Sequence, residues 1–494
     1  MIGMHEEILR KITKKNTLLS PGALECLEKQ DDPNSIMENI LEDKTNLPFP
    51  IGRDTIESFV EENGGFRKTS ETSTEVEDGE VQNKIQDSAT LSKNIEVIND
   101  ITGNSTCTGV IDDFTKYFNS RYEKLCSILS KRRESNGTLD IASAKKREGE
   151  AKVMAIVGDI YKTNNGNKIL KLEDPTGTMR GFVSSGSPAY EKDLLEDEVV
   201  LAIGSVWEKR KDFDVTLSIE EIIRPGVPKI RSRSKNGFDG KIAFIGDVHV
   251  GSNTFLKDEW NRFVDWVNSD DEKARDIKYI IVSGDLIDGI GIYPNQEEEL
   301  EIVDIYDQYR EFARMVKKLP DDIAIVTIPG NHDIVRNPEP QPCLPEDIQE
   351  MFPENVLFYG NPAFIDIEGL KILLYHGRSI NDLSDKLNQV DTDHPVTAMK
   401  EMMKRRHLVP SYGEKTPIAP ESEDLLVIDE LPDIFVTGHI HRTQVEDYHG
   451  TIMINSSTWQ DQTEYQKMRD IQPDPAKVVI FDPVSNQITV KQFN

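Results

Sequence analysis

Cysteine is scarce. Four occur in 494 residues (Cys26, Cys107, Cys126 and Cys343), with no C-x-x-C pair among them. That excludes a disulfide framework and a thiolate-built zinc site as organising features, and it points to a reducing compartment, the cytoplasm. Long apolar runs are absent: none approaches the roughly 18 residues of a membrane span. The opening MIGMHEEILRKITKK is charged and has no apolar h-region, so it does not read as a secretory signal. Basic residues are in deficit, 58 Lys and Arg against 88 Asp and Glu, for a net charge of −30. Such a chain does not wrap nucleic acid by itself, because phosphate binding needs Lys and Arg to displace counterions. Any nucleic-acid work is therefore local, metal-assisted or shared with a basic partner. The 37% apolar content is ample for a core, and the length suggests about three domains.

The texture changes along the chain. Residues 1–48 carry short stretches of helical spacing (Ile8, Ile12; Leu24, Leu27), with Ser20-Pro21 as a cap and first helical position, and read as a helical docking domain. Residues 49–110 include RKTSETSTEVEDGEVQNKIQDSATLSK, rich in Ser, Thr and Glu, and read as a disordered acidic linker. Over 111–150 an amphipathic helix and a connector are predicted. Phe114, Tyr117, Phe118, Tyr122, Leu125 and Leu129 form one stripe that needs a partner. Residues 151–228 hold several short strands separated by Asn164-Asn165-Gly166 and Asp174-Pro175-Thr176-Gly177, a pattern that suggests a small β-barrel, best an OB-fold. Trp207, Lys209, Arg210, Lys211 and Phe213 cluster at one of its turns, either as a single-strand platform or as a solvated hairpin tip.

From 240 to 494 the pattern is α/β. Apolar strands (KIAFIGD, YIIVSGD, AIVTIPGNHD, KILLYHG, DIFVTGH, IMINSS) each run into polar residues. Five strand ends carry Asp247-Val248-His249, Gly284-Asp285, Gly330-Asn331-His332-Asp333, His376-Gly377 and Gly438-His439-Ile440-His441, with Asn455-Ser456 following. Of nine histidines, only His5, His394, His407 and His449 fall outside these clusters. Carboxylate, imidazole and amide oxygen together are what a pair of divalent first-row ions needs. Asp247 and His249, two apart on an extended strand end, would point to one side. His439 and His441 could straddle two ions, and Asp285 could bridge them at the roughly 3.5–4 Å of two-metal sites. A glycine before most of these ligands would let the backbone turn sharply and the metal approach. Gly-Asp alone is usually a turn, and a lone His usually a satisfied core residue. The ordered set is not.

That order, D-x-H, G-D, G-N-H-D, H-G, G-H-x-H, resembles the calcineurin-like metallophosphoesterases. The resemblance implies a two-layer β-sandwich flanked by helices. It also implies Asp247, His249, Asp285 and His441 around one metal, Asp285, Asn331, His376 and His439 around a second, and His332 as general acid or transition-state stabiliser. The segments YHGRSINDL, AMKEMMKRRHLVPSYGEKTPIAPE and NSSTWQDQTEYQKMRDIQPDPAKV, together with the domain layout, further resemble the small subunits of archaeal family D DNA polymerases, most clearly over about 111–480. What that family implies is 3′→5′ exonuclease activity on single-stranded DNA ends, with polymerisation in a large partner subunit. Oxygen and imidazole donors without thiolate favour Mn²⁺.

Two alternatives are a catalytically silent scaffold subunit, disfavoured by the intact motif positions, and a free-standing phosphoesterase, disfavoured by the barrel in front. Lys400, Lys404, Arg405 and Arg406, with His407, form a basic helical face that could hold DNA phosphates, or else an ordinary solvated face or a subunit contact. Trp459, Tyr465 and Arg469, past the last predicted strand, could stack bases or dock the large subunit, and the second is the preferred expectation.

Overall fold

The computed structural model describes residues 94–207, 215–229, 231 and 238–494, with isolated positions at Leu27, Ile36, Ile40 and Ile56. The expected helices of 1–48, most of the 49–110 linker, and Lys209, Arg210, Lys211 and Phe213 lie outside the described residues. Among the described residues no helix is long and apolar enough to cross a membrane.

The chain enters on a short strand, β1 (Ile95–Asn99), followed by helices α1 (Ile111–Ser130) and α2 (Ile141–Ala144). Strands β2 (Gly149–Lys162), β3 (Lys168–Asp174), β4 (Gly177–Val183), β5 (Val199–Trp207) and β6 (Thr216–Ile223) then close a barrel in the order β2-β3-β4-β6-β5. Alternation decides its interior: Leu170 and Leu172 of β3, Met179 and Val183 of β4, and Leu217 and Ile219 of β6 all point into one core. The register of β5 against β6 shifts at Gly204, where a Cβ would lie 1.9 Å from the Ser218 carbonyl oxygen, so only glycine permits that bend.

Helix α1 finds the partner its stripe requires. Leu125 and Leu129 pack on Met154, Val199, Leu201 and Ile223 of the barrel and on Val427, while Tyr117 enters a separate core beyond it. Phe114 and Phe118 meet Tyr412 edge-on at 5.5 and 5.8 Å, and the Tyr122 hydroxyl donates to the Met154 carbonyl. The same helix face also buries a cation, Arg121.

The remainder is a two-layer sandwich. One six-stranded sheet runs β10 (Val356–Phe358), β9 (Ala324–Thr327), β8 (Ile277–Val282), β7 (Lys241–Ile245), β16 (Lys477–Asp482), β17 (Gln487–Gln492). The other runs β1, β11 (Ala363–Ile367), β12 (Leu370–Leu374), β13 (Ile434–Thr437), β15 (Thr451–Asn455), β14 (Gln444–Tyr448). Their facing sides share one core in which Phe244, Tyr279, Ile281 and Val326 meet Ile365, Ile372, Val436 and Ile454. Helices α3 (Lys257–Val267) and α4 (Ile305–Val316) cover the first sheet. The short α5 (Glu346–Gln349) adds Ile348 to that outer core, and α6 (Ser379–Lys386) and α7 (Val396–Arg405) cover the second sheet. This is the helix-flanked sandwich that the family resemblance implied. Strands β7, β8 and β9 run parallel, as do β12, β13 and β15, so the polar ends of each set emerge together.

Two boundaries differ from the sequence reading. Residues 94–110, assigned to the linker, are bound to the sandwich: β1 pairs with β11, Ile101 is buried, and the Glu421 carboxylate accepts the backbone N–H groups of Thr106 and Cys107. Their low apolar content gave no sign of this, because their partners are sheet-edge backbone and one distant carboxylate. The last predicted strand is also not the last. After it come β16, which pairs with β7, and β17.

Candidate metal centre

Each strand-end motif leaves its sheet at the same edge, and the backbone there is unusual. Asp247, His249, Asp285, His439 and His441 all have positive φ, between 49° and 67°, although none is glycine. Each such residue costs about 1–3 kcal/mol and persists only where its surroundings fix it. Here they are fixed by hydrogen bonds between the motifs: the Asp247 N–H donates to the Gly284 carbonyl at 2.9 Å, the Val248 N–H to the Asp285 carbonyl at 2.8 Å, and the His439 N–H to Asp247 Oδ1 at 2.8 Å. Asp247 and His249 are thus not on an extended strand end, as the spacing suggested; two left-handed residues bring them to the same place. The neighbouring glycines supply mainly room. A Cβ on Gly330 would lie 2.1 Å from Asp285 Oδ1, and one on Gly438 2.4 Å from Asp247 Oδ2.

All eight residues expected at the site converge. His441 Nε2 is 3.0 Å from His249 Nε2 and 3.5 Å from Asp247 Oδ1. His376 Nε2 is 3.2 Å from Asp285 Oδ2 and 3.1 Å from Asn331 Oδ1. Three overlapping groups could each hold an ion: Asp247, His249 and His441; His249, Asp285 and His332; Asp285, His376 and His439. His249 and Asp285 link them.

The donor set fits divalent cations. His376 Nδ1 lies 2.9 Å from the Ser283 carbonyl and must carry a proton there, so its Nε2 faces two further acceptors, Asp285 and Asn331. Three acceptors within hydrogen-bond distance repel one another unless positive charge sits among them. Burial disfavours charge on His376, but Asp285 beside it outweighs burial and pushes the imidazole up to about 10, so the positive charge there is a proton on Nε2 that a divalent ion must displace before His376 can hold that ion. Burial likewise works against charge on Asp285, yet His376, His332 and His249 hold its carboxyl well below the usual range. Burial, with the neighbouring His376 imidazole next, holds His439 well below its ordinary value. Burial and His249 do the same to His441, leaving both as the neutral imidazoles that ligate metals.

Residues 240–443 match the calcineurin-like phosphoesterase family. The whole chain is similar to a DNA polymerase II small subunit from Archaeoglobus fulgidus, 38% identical over 98% of this chain and 98% of that one. The chain belongs to this family. Small subunits from Thermoplasma acidophilum (41% identical, 78% of each chain) and Methanocaldococcus jannaschii (42% identical, 79% of this chain and 68% of that one) are also similar to it. This polymerase II small subunit therefore carries a metallophosphoesterase domain, which implies divalent metal ions.

Sequence reading missed the residues that hold the ligands. Asp288 is buried and its Oδ1 lies 3.0 Å from His249 Nδ1, while its backbone carbonyl lies 2.7 Å from His332 Nδ1. One residue thus orients two imidazoles. Gln466 reaches His441 Nδ1 at 3.0 Å and Asn381 reaches His439 Nε2 at 2.9 Å. Asp288 follows Asp285 by three positions, the one local signal available; the other two had none. Asp333, beside His332, serves as a brace, its carboxylate accepting from the Gly330 N–H at 2.8 Å and the Tyr309 hydroxyl at 3.0 Å.

Two expectations are corrected. Arg405 and Arg406 of the basic face on α7 are not open to DNA. Arg405 is buried between Glu401 and Glu198, and Arg406 is buried with its guanidinium donating to the carbonyls of Ile428 and Asp429. Lys400 pairs with Glu446 and Lys404 with Glu401. These cations answer carboxylates and carbonyls of this chain, and Arg405 with Glu198 joins the barrel to the sandwich. Trp459 is fully buried against Trp260, Phe263 and Phe493, so it neither docks a partner nor stacks a base. Tyr465 and Arg469 stay at the surface and line the cleft above the centre, a space of about 630 Å³.

Proposed function

We propose that this small subunit is a metal-dependent 3′→5′ exonuclease acting on single-stranded DNA ends beside a large polymerising subunit, in the cytoplasm. The observation that carries the reading is the convergence of His249, Asp285, Asn331, His439 and His441 on one open cleft, with Asp247 and His376 buried directly behind them, in a member of this family. Asp247, His249, Asp285 and His441 would hold one ion and Asp285, Asn331, His376 and His439 the other, with Mn²⁺ suited to oxygen and imidazole donors. Ions bound there would supply an activated water and offset charge on the phosphoryl oxygens.

The remaining chemistry belongs to the chain. With Nδ1 fixed on the Asp288 carbonyl, His332 has Nε2 as the nitrogen that exchanges a proton, and it donates that proton to the departing 3′ oxygen. Asp288 and Gln466 keep His249 and His441 from rotating away. The closed barrel, with its five strands in the order β2-β3-β4-β6-β5, is read as an OB-fold that presents the strand or the partner subunit.

The test is a 5′-labelled single-stranded oligonucleotide incubated with the full chain and Mn²⁺, with and without the large subunit. A ladder shortening from the 3′ end, abolished by a chelator, is expected. Tight binding of the large subunit with no shortening would leave a scaffold, and preference for a small phosphoester would leave a free-standing phosphoesterase.

A further inference from the structure

Tyr293 and Tyr465 lie in the cleft above the metal centre with their rings stacked, centroids 5.7 Å apart and planes 27° from parallel. The aromatic rings around Trp459 in the core meet edge-on or tilted instead. Tyr465 remains 39% exposed, and the Arg469 guanidinium lies over its ring, 5.0 Å from the centroid, as a cation that an incoming base displaces toward its own phosphate. We propose that Tyr293 and Tyr465 form a stacking step for the nucleobase of the strand end whose phosphodiester lies over the aspartate–histidine centre. This deepens the exonuclease reading and rests on it.

The placement of the step argues for a role in binding. Tyr465 belongs to the short helix α8 (Glu464–Met468), and the next residue, Gln466, both caps that helix on Thr463 and reaches His441 Nδ1. Tyr293 follows Ile292, whose N–H donates to Gln296 Oε1 at 2.9 Å, while Gln296 Nε2 donates to the Asp288 carboxylate that braces His249. Tyr465 is therefore tied to His441 through Gln466, and Tyr293 to His249 through Gln296 and Asp288. Tyrosine rings with an arginine guanidinium beside them are the pairing that holds unpaired bases of any sequence.

Charge supports the same occupant. Arg442 and Lys415 also line the cleft but are paired with Asp393 and Asp385 at 2.5 Å. Arg378 donates to Asn337 instead, and neither it nor Arg469 has a carboxylate within ion-pair distance among the described residues. In a chain of net charge −30, two arginines left for an anion in the cleft that holds the centre match a phosphate backbone entering there.

The experiment uses the full chain and three probes. Two are 5′-labelled single strands, one ending in an ordinary 3′ nucleotide and one in an abasic residue, shortened with Mn²⁺. The third carries 2-aminopurine at its 3′ end and is titrated in Ca²⁺. Wild type should show a KM for the ordinary end about tenfold below that for the abasic end. Tyr465→Ala should erase the difference by raising the first KM, with kcat and the abasic end unchanged, and should abolish the quenching of 2-aminopurine. Tyr465→Phe should retain both. Equal handling of the two ends by wild type overturns the proposal, as does a base preference that survives Tyr465→Ala. Loss of large-subunit binding in that variant with base preference intact also overturns it, in favour of a protein-docking surface. If wild type shortens neither strand, the exonuclease reading fails on its own; quenching that depends on Tyr465 would then still support the step, and its absence would end it.

Discussion

Arg121 and Asp424 form a 2.9 Å ion pair across 303 residues of sequence with neither side chain exposed to solvent. The guanidinium also donates to the Pro410 carbonyl at 3.0 Å and to the Tyr117 hydroxyl at 2.9 Å. Asp424 accepts a second hydrogen bond from His407 Nε2–H, since His407 Nδ1 already accepts the Val409 N–H. This network fastens helix α1, and through it the barrel, to the sandwich. Removing Arg121 would leave Asp424 charged and unpaired in the interior. Arg121→Met is expected to lower stability by about 3–5 kcal/mol, read from urea unfolding. A loss below about 1 kcal/mol, the value of an exposed pair, would show that the network is dispensable.

The same network sets an acid limit. Burial, reinforced by Arg121, lowers His407 to about 4, and the Val409 N–H on Nδ1 requires the neutral ring. The unfolded chain titrates this histidine near about 6.5. Its contribution is therefore fully present above that pH and is lost as pH falls toward 4, by about 3 kcal/mol. Asp424, held well below the usual carboxylate range despite burial, adds a loss of the same sign at lower pH. Unfolding midpoints measured between pH 8 and 4 should fall steeply for wild type and less steeply for His407→Gln. Parallel curves would refute the assignment.

His332 stands beside the centre and also close enough to His249 and Asp285 to be counted with them. As proton donor, its replacement by alanine should lower kcat by about 10²–10⁴-fold while calorimetric uptake of Mn²⁺ stays the same. Loss of one bound ion in His332→Ala would make it a ligand instead.

Asp288 touches no reacting atom in this arrangement and acts through His249. Asp288→Asn should weaken uptake of the ion beside His249 by about 10–100-fold, leaving the one beside His376 nearly intact. Two ions weakened equally would point to general misfolding.

On α7, Lys400→Ala and Lys404→Ala should leave the rate of strand shortening unchanged, because both amines already face glutamates. Arg405→Ala should lower stability by about 1.5–3 kcal/mol, because buried Glu198 and Glu401 each lose one of their two cations and keep only Arg224 and Lys404. DNA binding that tracks the lysines would reinstate that face as a contact.

Much of the site was legible because its information is local. Apolar strands that end in Asp-Val-His, Gly-Asp, Gly-Asn-His-Asp, His-Gly and Gly-His-Ile-His carry both the fold and the ligands in short segments, and their order follows the strands. The α1 stripe was legible for the same reason, although Arg121 within it was not.

The sequence by itself determined which side chains stand at the strand ends, since a buried parallel strand must release its chain at one edge of the sheet. Tertiary structure alone decided the fate of every charge and ring whose partner lies far along the chain. It buried Trp459 and left Tyr465 open, took Arg405 and Arg406 out of reach of DNA, drew residues 94–110 onto a sheet edge, and set Asp288, Gln466 and Asn381 behind the imidazoles. Whether a cation serves a ligand or a neighbouring carboxylate depends on the nearest opposite charge in space, and spacing along a sequence does not contain that distance.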